Sequence, residues 1–170
     1  MRWLLLLVLS VTLSTGCSYK RNVKNLSDAE FDHYYALRVF MDDDQIKTYL
    51  KLKTEDERDA YLKQLGLWDR FYSETEKTRE DIVRGNVQTG WTQDMVLMSW
   101  GHPYEFRKLA GQAAERSEQW VYRFEKGADG AVRVWTPDSK TYYKATRLFI
   151  REITIDDGKV TAINEKDAHW

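Results

Sequence analysis

Gln119-Trp120-Val121-Tyr122-Arg123-Phe124 decides the fold of this chain, because its aromatic residues recur at every second position. In extended backbone successive side chains point to opposite faces, so Trp120, Tyr122 and Phe124 share one face of a strand. Ala131-Val132-Arg133-Val134-Trp135 repeats the alternation, and Thr146 to Ile155 is rich in β-branched and aromatic residues. Asp157-Gly158 supplies a tight hairpin turn into Lys159-Val160-Thr161-Ala162-Ile163. The expectation is an antiparallel sheet of three to four strands.

Upstream of this stretch the periodicity is helical. Ser27 stands three residues before Glu30, a capping box, with Leu26 and Phe31 at the staple positions. That helix is expected to run to about Met41. Asp42-Asp43-Asp44 ends it and can cap the next, which carries Ile46, Tyr49, Leu50 and Leu52. Thr54 and Glu57 form a second box ahead of Tyr61, Leu62 and Leu65, and Gly66 is a stop. Leu67 to Arg84 reads as one further helix, and Gln93 to Trp100 as a short one between Thr92 and Gly101-His102-Pro103. Helices first and an antiparallel sheet afterwards make an α+β fold: N-terminal helices over 26–84, then a short helix packed on the sheet over 85–170.

The N-terminus follows a different logic. Met1-Arg2 is followed by an apolar run from Trp3 to Leu13 and then by small, polar Ser14-Thr15-Gly16 before Cys17. Charge, apolar stretch and small-residue site in that order describe a secretion signal over 1–16. The run is too short to cross a bilayer, which needs roughly 20 apolar residues. Cys17 is the only cysteine, so no intramolecular disulfide can form, and a capped thiol suits an oxidising compartment. Leu13-Ser14-Thr15-Gly16-Cys17 resembles the lipobox of bacterial lipoproteins, with Ser14 where that pattern usually has Leu. The resemblance implies acylation of Cys17, a lipidated tether over 17–25 and, because Ser18 rather than Asp follows, the periplasmic face of the outer membrane. An ordinary secretion signal with a free thiol is the alternative.

Composition narrows the function. Net charge is −1 over 170 residues with acids and bases interspersed, so no basic face for nucleic acid or anionic lipid is visible. Aromatic residues make up 14% of the chain and there are only two prolines, which suits a packed core. Membrane contact is therefore assigned to the anchor at Cys17 alone.

The most specific internal string is Gly90-Trp91-Thr92-Gln93-Asp94-Met95-Val96-Leu97-Met98-Ser99-Trp100-Gly101-His102-Pro103, followed later by Glu118-Gln119-Trp120-Val121-Tyr122. Thr92 caps the helix, Val96 and Trp100 lie on one face, Gly101 supplies a left-handed stop, and Pro103 starts an extended segment. The string resembles the SmpA/OmlA (BamE-like) lipoprotein family, whose pattern falls on Gly90, Trp91, Thr92, Val96, Gly101, Pro103, Trp120 and Tyr122. That resemblance implies a BamE-like sheet domain, an envelope location and protein partners in outer-membrane assembly, with no cofactor. Leu52, Thr54, Glu57-Arg58-Asp59 and Trp68-Asp69-Arg70 more weakly resemble GWxTD-domain proteins, for which Thr92 comes one place early.

Catalytic and metal signatures are absent from the sequence. His33, His102 and His169 are scattered, none with a second histidine or cysteine at ligand spacing. His33, near Asp32 and Asp42, is read as a surface or boundary residue of its helix. Asp42-Asp43-Asp44 lacks the alternating spacing, central Gly and terminal Glu of a calcium loop. No Gly-x-Ser-x-Gly elbow or phosphate loop exists. Trp91, Trp100, Trp120 and Trp135 are expected mainly in the core, with exposed anchoring of a partner as the other role. The expectation is a non-enzymatic, lipid-anchored accessory or scaffold protein, or alternatively a periplasmic ligand-binding or inhibitor module.

Overall fold

A computed structural model of the chain describes residues 23–110, 114–136 and 145–169. Cys17 and the signal segment lie outside them. Among the described residues six α-helices precede a five-stranded antiparallel sheet: α1 (Asp28–Leu37), α2 (Asp43–Lys51), α3 (Glu55–Gln64), α4 (Trp68–Tyr72), α5 (Glu76–Arg84) and α6 (Gln93–Trp100). The strands are β1 (Glu105–Leu109), β2 (Ser117–Gly127), β3 (Val132–Val134), β4 (Ala145–Asp156) and β5 (Lys159–Asp167).

Side-chain caps set the helix boundaries. Ser27 Oγ accepts from Glu30 N–H while the Glu30 carboxylate accepts from Ser27 N–H at 2.7 Å, and Thr54 with Glu57 repeats the exchange. Asp42 accepts from Asp44 and Gln45, and Gln45 closes that box. Each such cap stabilises its helix by about 1 kcal/mol. Two boundaries differ from the sequence expectation. The first helix tightens into a 3-10 turn over Arg38–Phe40, and 67–84 is two helices rather than one. Thr75 is the reason for the break, because its hydroxyl accepts from Thr78 N–H and starts α5 anew.

The sheet has order β1-β2-β4-β5, with β3 pairing the far end of β2. Five strands replace the expected three to four because β1, Glu-Phe-Arg-Lys-Leu, is an edge strand. Its first four residues are exposed, so it carries no buried stripe to betray it. In the centre, Trp120 faces Ile153 and Phe124 faces Phe149, the latter two rings stacked at 5.2 Å.

Helix α6 lies between this sheet and the other helices. Trp100 packs edge-on against Tyr122 and Phe124, both 5.1 Å away, while Ser99 Oγ donates to the Ile82 carbonyl of α5. A helix covered on both sides must be apolar on both, and Met95 to Trp100 is, apart from Ser99, whose hydroxyl is hydrogen-bonded. One continuous cluster of buried side chains results, from Tyr34 and Leu37 through Ile82, Val96 and Trp100 to Ile153 and Val160.

Candidate functional site

The motif residues converge. Gly90 N–H donates to the Val160 carbonyl at 2.7 Å and Val160 N–H returns a bond to Trp91 at 2.8 Å, so this segment runs along the start of β5. Trp91 is buried there, and Thr92 Oγ1 accepts from Met95 N–H to open α6. Val96 is fully buried and Pro103 half-buried. Gly101 ends the helix with φ +75° as expected of a glycine, but with ψ −159°. That is a mirror-extended conformation rather than the left-handed helical one, and it is open essentially to glycine alone. Its carbonyl accepts from the Tyr122 hydroxyl at 2.9 Å, which ties the two halves of the motif together. Burial pushes the Tyr122 phenol far above its ordinary value, so it stays a donor. Trp120 Nε1–H donates to the Glu118 carboxylate, itself buried and also receiving Gln93 and Arg116. Trp91, Trp100 and Trp120 are thus core, whereas Trp135 is half-buried beside Arg123, which also covers Tyr104 at 3.6 Å.

Beside the Trp100 end of this unit opens a cavity of about 810 Å³. Trp100, Phe124, Leu97 and Met98 form its apolar floor; Val39 and Ile46 close the helical side and Val132 and Val134 the strand side. Among the described residues its charged lining is Arg38, Arg84, Arg133 and Arg151, with His102 beside them and no carboxylate. Sequence reasoning missed the cavity because its walls come from segments more than ninety residues apart in the chain.

A second polar cluster lies inside the helical layer and corrects the expectation for His33. The ring is 1% exposed, not at a surface or boundary. Nδ1 lies 2.8 Å from Tyr72 Oη and Nε2 2.8 Å from Tyr49 Oη, so a neutral ring accepts from one phenol and donates to the other. The two tyrosines come from α2 and α4, and no periodicity in α1 announces them. Below this cluster Arg58 Nε–H donates to Glu30 Oε1 at 2.5 Å, a buried ion pair completed by Arg58 Nη1–H to the Leu52 carbonyl. Burial alone raises the Glu30 carboxyl, but the hydrogen bonds from Arg58 and Ser27 outweigh it and hold the group below its ordinary range.

Burial lowers the His33 pKa below 6.5, with Arg58 adding to this and the Asp59 and Glu30 carboxylates opposing it. A neutral histidine in the fold that protonates in the unfolded chain has a defined sign. Its contribution is constant above pH 6.5 and is lost as pH falls below that value toward the depressed folded pKa. The slope cannot exceed ~1.4 kcal/mol per pH unit for one proton. Urea midpoints between pH 7.5 and 5 should therefore fall in the native chain and flatten in His33→Gln. Equal slopes in both proteins would remove His33 as the cause.

The described residues hold no group of three or more His, Cys, Asp or Glu side chains placed to bind a metal ion. No family model, curated protein or solved structure matches the chain.

Proposed function

We propose that this protein is a lipid-anchored accessory or scaffold protein of the bacterial envelope, working by protein recognition rather than turnover. The observation that carries the proposal is the convergence of Gly90–Trp91, Trp100–Gly101 and Trp120–Tyr122 on one rigid unit that borders an apolar, arginine-rimmed cavity. A rigid aromatic floor with a polar rim suits a partner's side chains. The motif's resemblance to the SmpA/OmlA family supports outer-membrane protein assembly as the setting. The chemical crosslinking of cells followed by partner identification tests it: recovery of barrel-assembly or other envelope proteins is expected, and recovery of none rejects it.

The membrane link in this proposal is Cys17. No helix among the described residues is long and apolar enough to cross a bilayer. Acyl chains supply about 0.8 kcal/mol per buried methylene, and more than one chain anchors stably. Cys17→Ala is expected to leave the protein folded and in the soluble fraction after cell disruption. Retention in the membrane fraction would place the contact on the protein surface instead.

The cavity also favours a second reading, a periplasmic ligand-binding module, since its volume lies within the range of small-molecule sites. A ligand-dependent rise in melting temperature is the mark of that alternative.

A further inference from the structure

We propose that the cavity between the helical layer and the sheet receives an acidic, amphipathic segment of a partner protein. Apolar side chains of the segment rest on Trp100 and Phe124, and its carboxylates meet the arginines of the rim. The proposal rests on the recognition function above and names the chemistry of the partner.

Charge is the first argument. Among the described lining residues every charged side chain is a base, Arg38 from the 3-10 turn, Arg84 from the end of α5, Arg133 from β3 and Arg151 from β4, with His102 after α6 beside them. Three backbone acceptors there are already used. The Gly85 carbonyl takes Trp100 Nε1–H, the Gly101 carbonyl takes the Tyr122 hydroxyl, and the Leu97 carbonyl takes Gly101 N–H. The cavity therefore presents donors and positive charge over an apolar floor, the complement of a segment carrying carboxylates and large apolar residues.

Two of the guanidinium groups, Arg38 and Arg84, can take new partners cheaply, whereas Arg133 is already held by the Asp129 carboxylate at 2.6 Å. Arg38 lies over the Tyr35 ring at 4.4 Å and has no carboxylate partner among the described residues. Arg84 meets Glu80 at 3.4 Å, with both side chains more than half exposed. Such a pair contributes little and is readily exchanged. Arg151 is held at the floor, 4.9 Å from the Phe124 ring centroid, and pairs outward with Glu165.

The spacing of the bases favours a polypeptide over a single-headed amphiphile. One anionic head satisfies one or two guanidinium groups, whereas the arginines come from four separate elements around the opening. A chain bearing several carboxylates can meet them together.

The test uses purified full-length protein and two fluorescein-labelled helical peptides with identical Leu and Phe positions, one with Glu at the polar positions and one with Lys. Anisotropy titrations should show the Glu peptide binding, weakening with added salt, and the Lys peptide not binding. Arg38→Gln with Arg84→Gln should weaken the Glu peptide by about ten-fold or more, equivalent to ~1.4 kcal/mol. Lys166→Gln, whose native ammonium pairs with Glu152 in the sheet, should leave binding unchanged. Both exchanged arginines are exposed, so an unchanged melting temperature shows that the fold is intact. Equal binding of the two peptides, or full affinity in the double variant, overturns the proposal. Displacement of the Glu peptide by dodecanoate or by phosphatidylglycerol vesicles overturns it in favour of an amphiphile. If the peptide fails while cell crosslinking still recovers envelope proteins, the cavity assignment falls and the recognition function stands.

Discussion

Replacing Arg58 with alanine is expected to destabilise the fold by about 3–5 kcal/mol, the range for removing one partner of a buried ion pair. Both side chains are almost wholly enclosed, at 8% and 4% exposure, and they join α1 to α3 across 28 positions of sequence. Without the guanidinium, the Glu30 carboxylate keeps the Ser27 N–H but loses its charge partner, and the Leu52 carbonyl loses its donor. The Glu30 group then has reason to protonate. Its folded pKa, now held low, should rise, so the stability present above pH 4.5 and lost on acidification through that lowered value should shrink. Replacing both residues, Glu30→Leu with Arg58→Met, should recover most of the loss, because neither charge is then left buried. Urea unfolding of the two proteins decides the matter. A loss below about 1 kcal/mol for Arg58→Ala would show the pair to be solvated and worth no more than a surface contact.

This pair also marks the boundary of what sequence can disclose. Ser27, Asp42, Thr54 and Thr92 were legible as caps because a cap and its target are two or three residues apart. Trp120, Tyr122 and Phe124 were legible as one sheet face because their aromatic side chains recur with the period of two of extended backbone, although Val121 and Glu125 on the other face are buried as well. The Asp157-Gly158 turn was legible for the same local reason, with both residues at positive φ. Strand β1 was not, since an exposed edge imposes no alternation. Nor was the break at Thr75, where a side-chain cap outcompetes continuation of the helix through a polar stretch. His33 looked like a boundary residue because its partners, Tyr49 and Tyr72, are 16 and 39 positions away. The motif residues stand out in the sequence as a set, but the bond that joins their two halves, from the Tyr122 hydroxyl to the Gly101 carbonyl, spans 21 positions and is not visible there. The cavity is the extreme case: each wall is unremarkable in its own segment, and only the fold brings five bases to one opening.

Trp100 joins the core to that opening, and Trp100→Ala is expected to cost about 3–5 kcal/mol, the usual range for emptying a buried aromatic site. The indole is 5% exposed, meets Tyr122 and Phe124 edge to face, and donates Nε1–H to the Gly85 carbonyl at 3.0 Å. Alanine would leave a void beneath the cavity floor and an unpaired carbonyl at the end of α5. Trp100→Phe separates these contributions. It retains a ring against Tyr122 but no donor for Gly85, so a loss of about 1–3 kcal/mol is expected from the unsatisfied carbonyl and the smaller ring together. Chemical unfolding measures both. The same two proteins bear on recognition: Trp100→Phe keeps an aromatic floor and should bind the Glu peptide within a few-fold of the native chain. Trp100→Ala, measured under conditions where it remains folded, should bind it substantially less well. Stability losses that are equal for Phe and Ala would mean that the hydrogen bond to Gly85, rather than ring packing, secures α6 between the helices and the sheet.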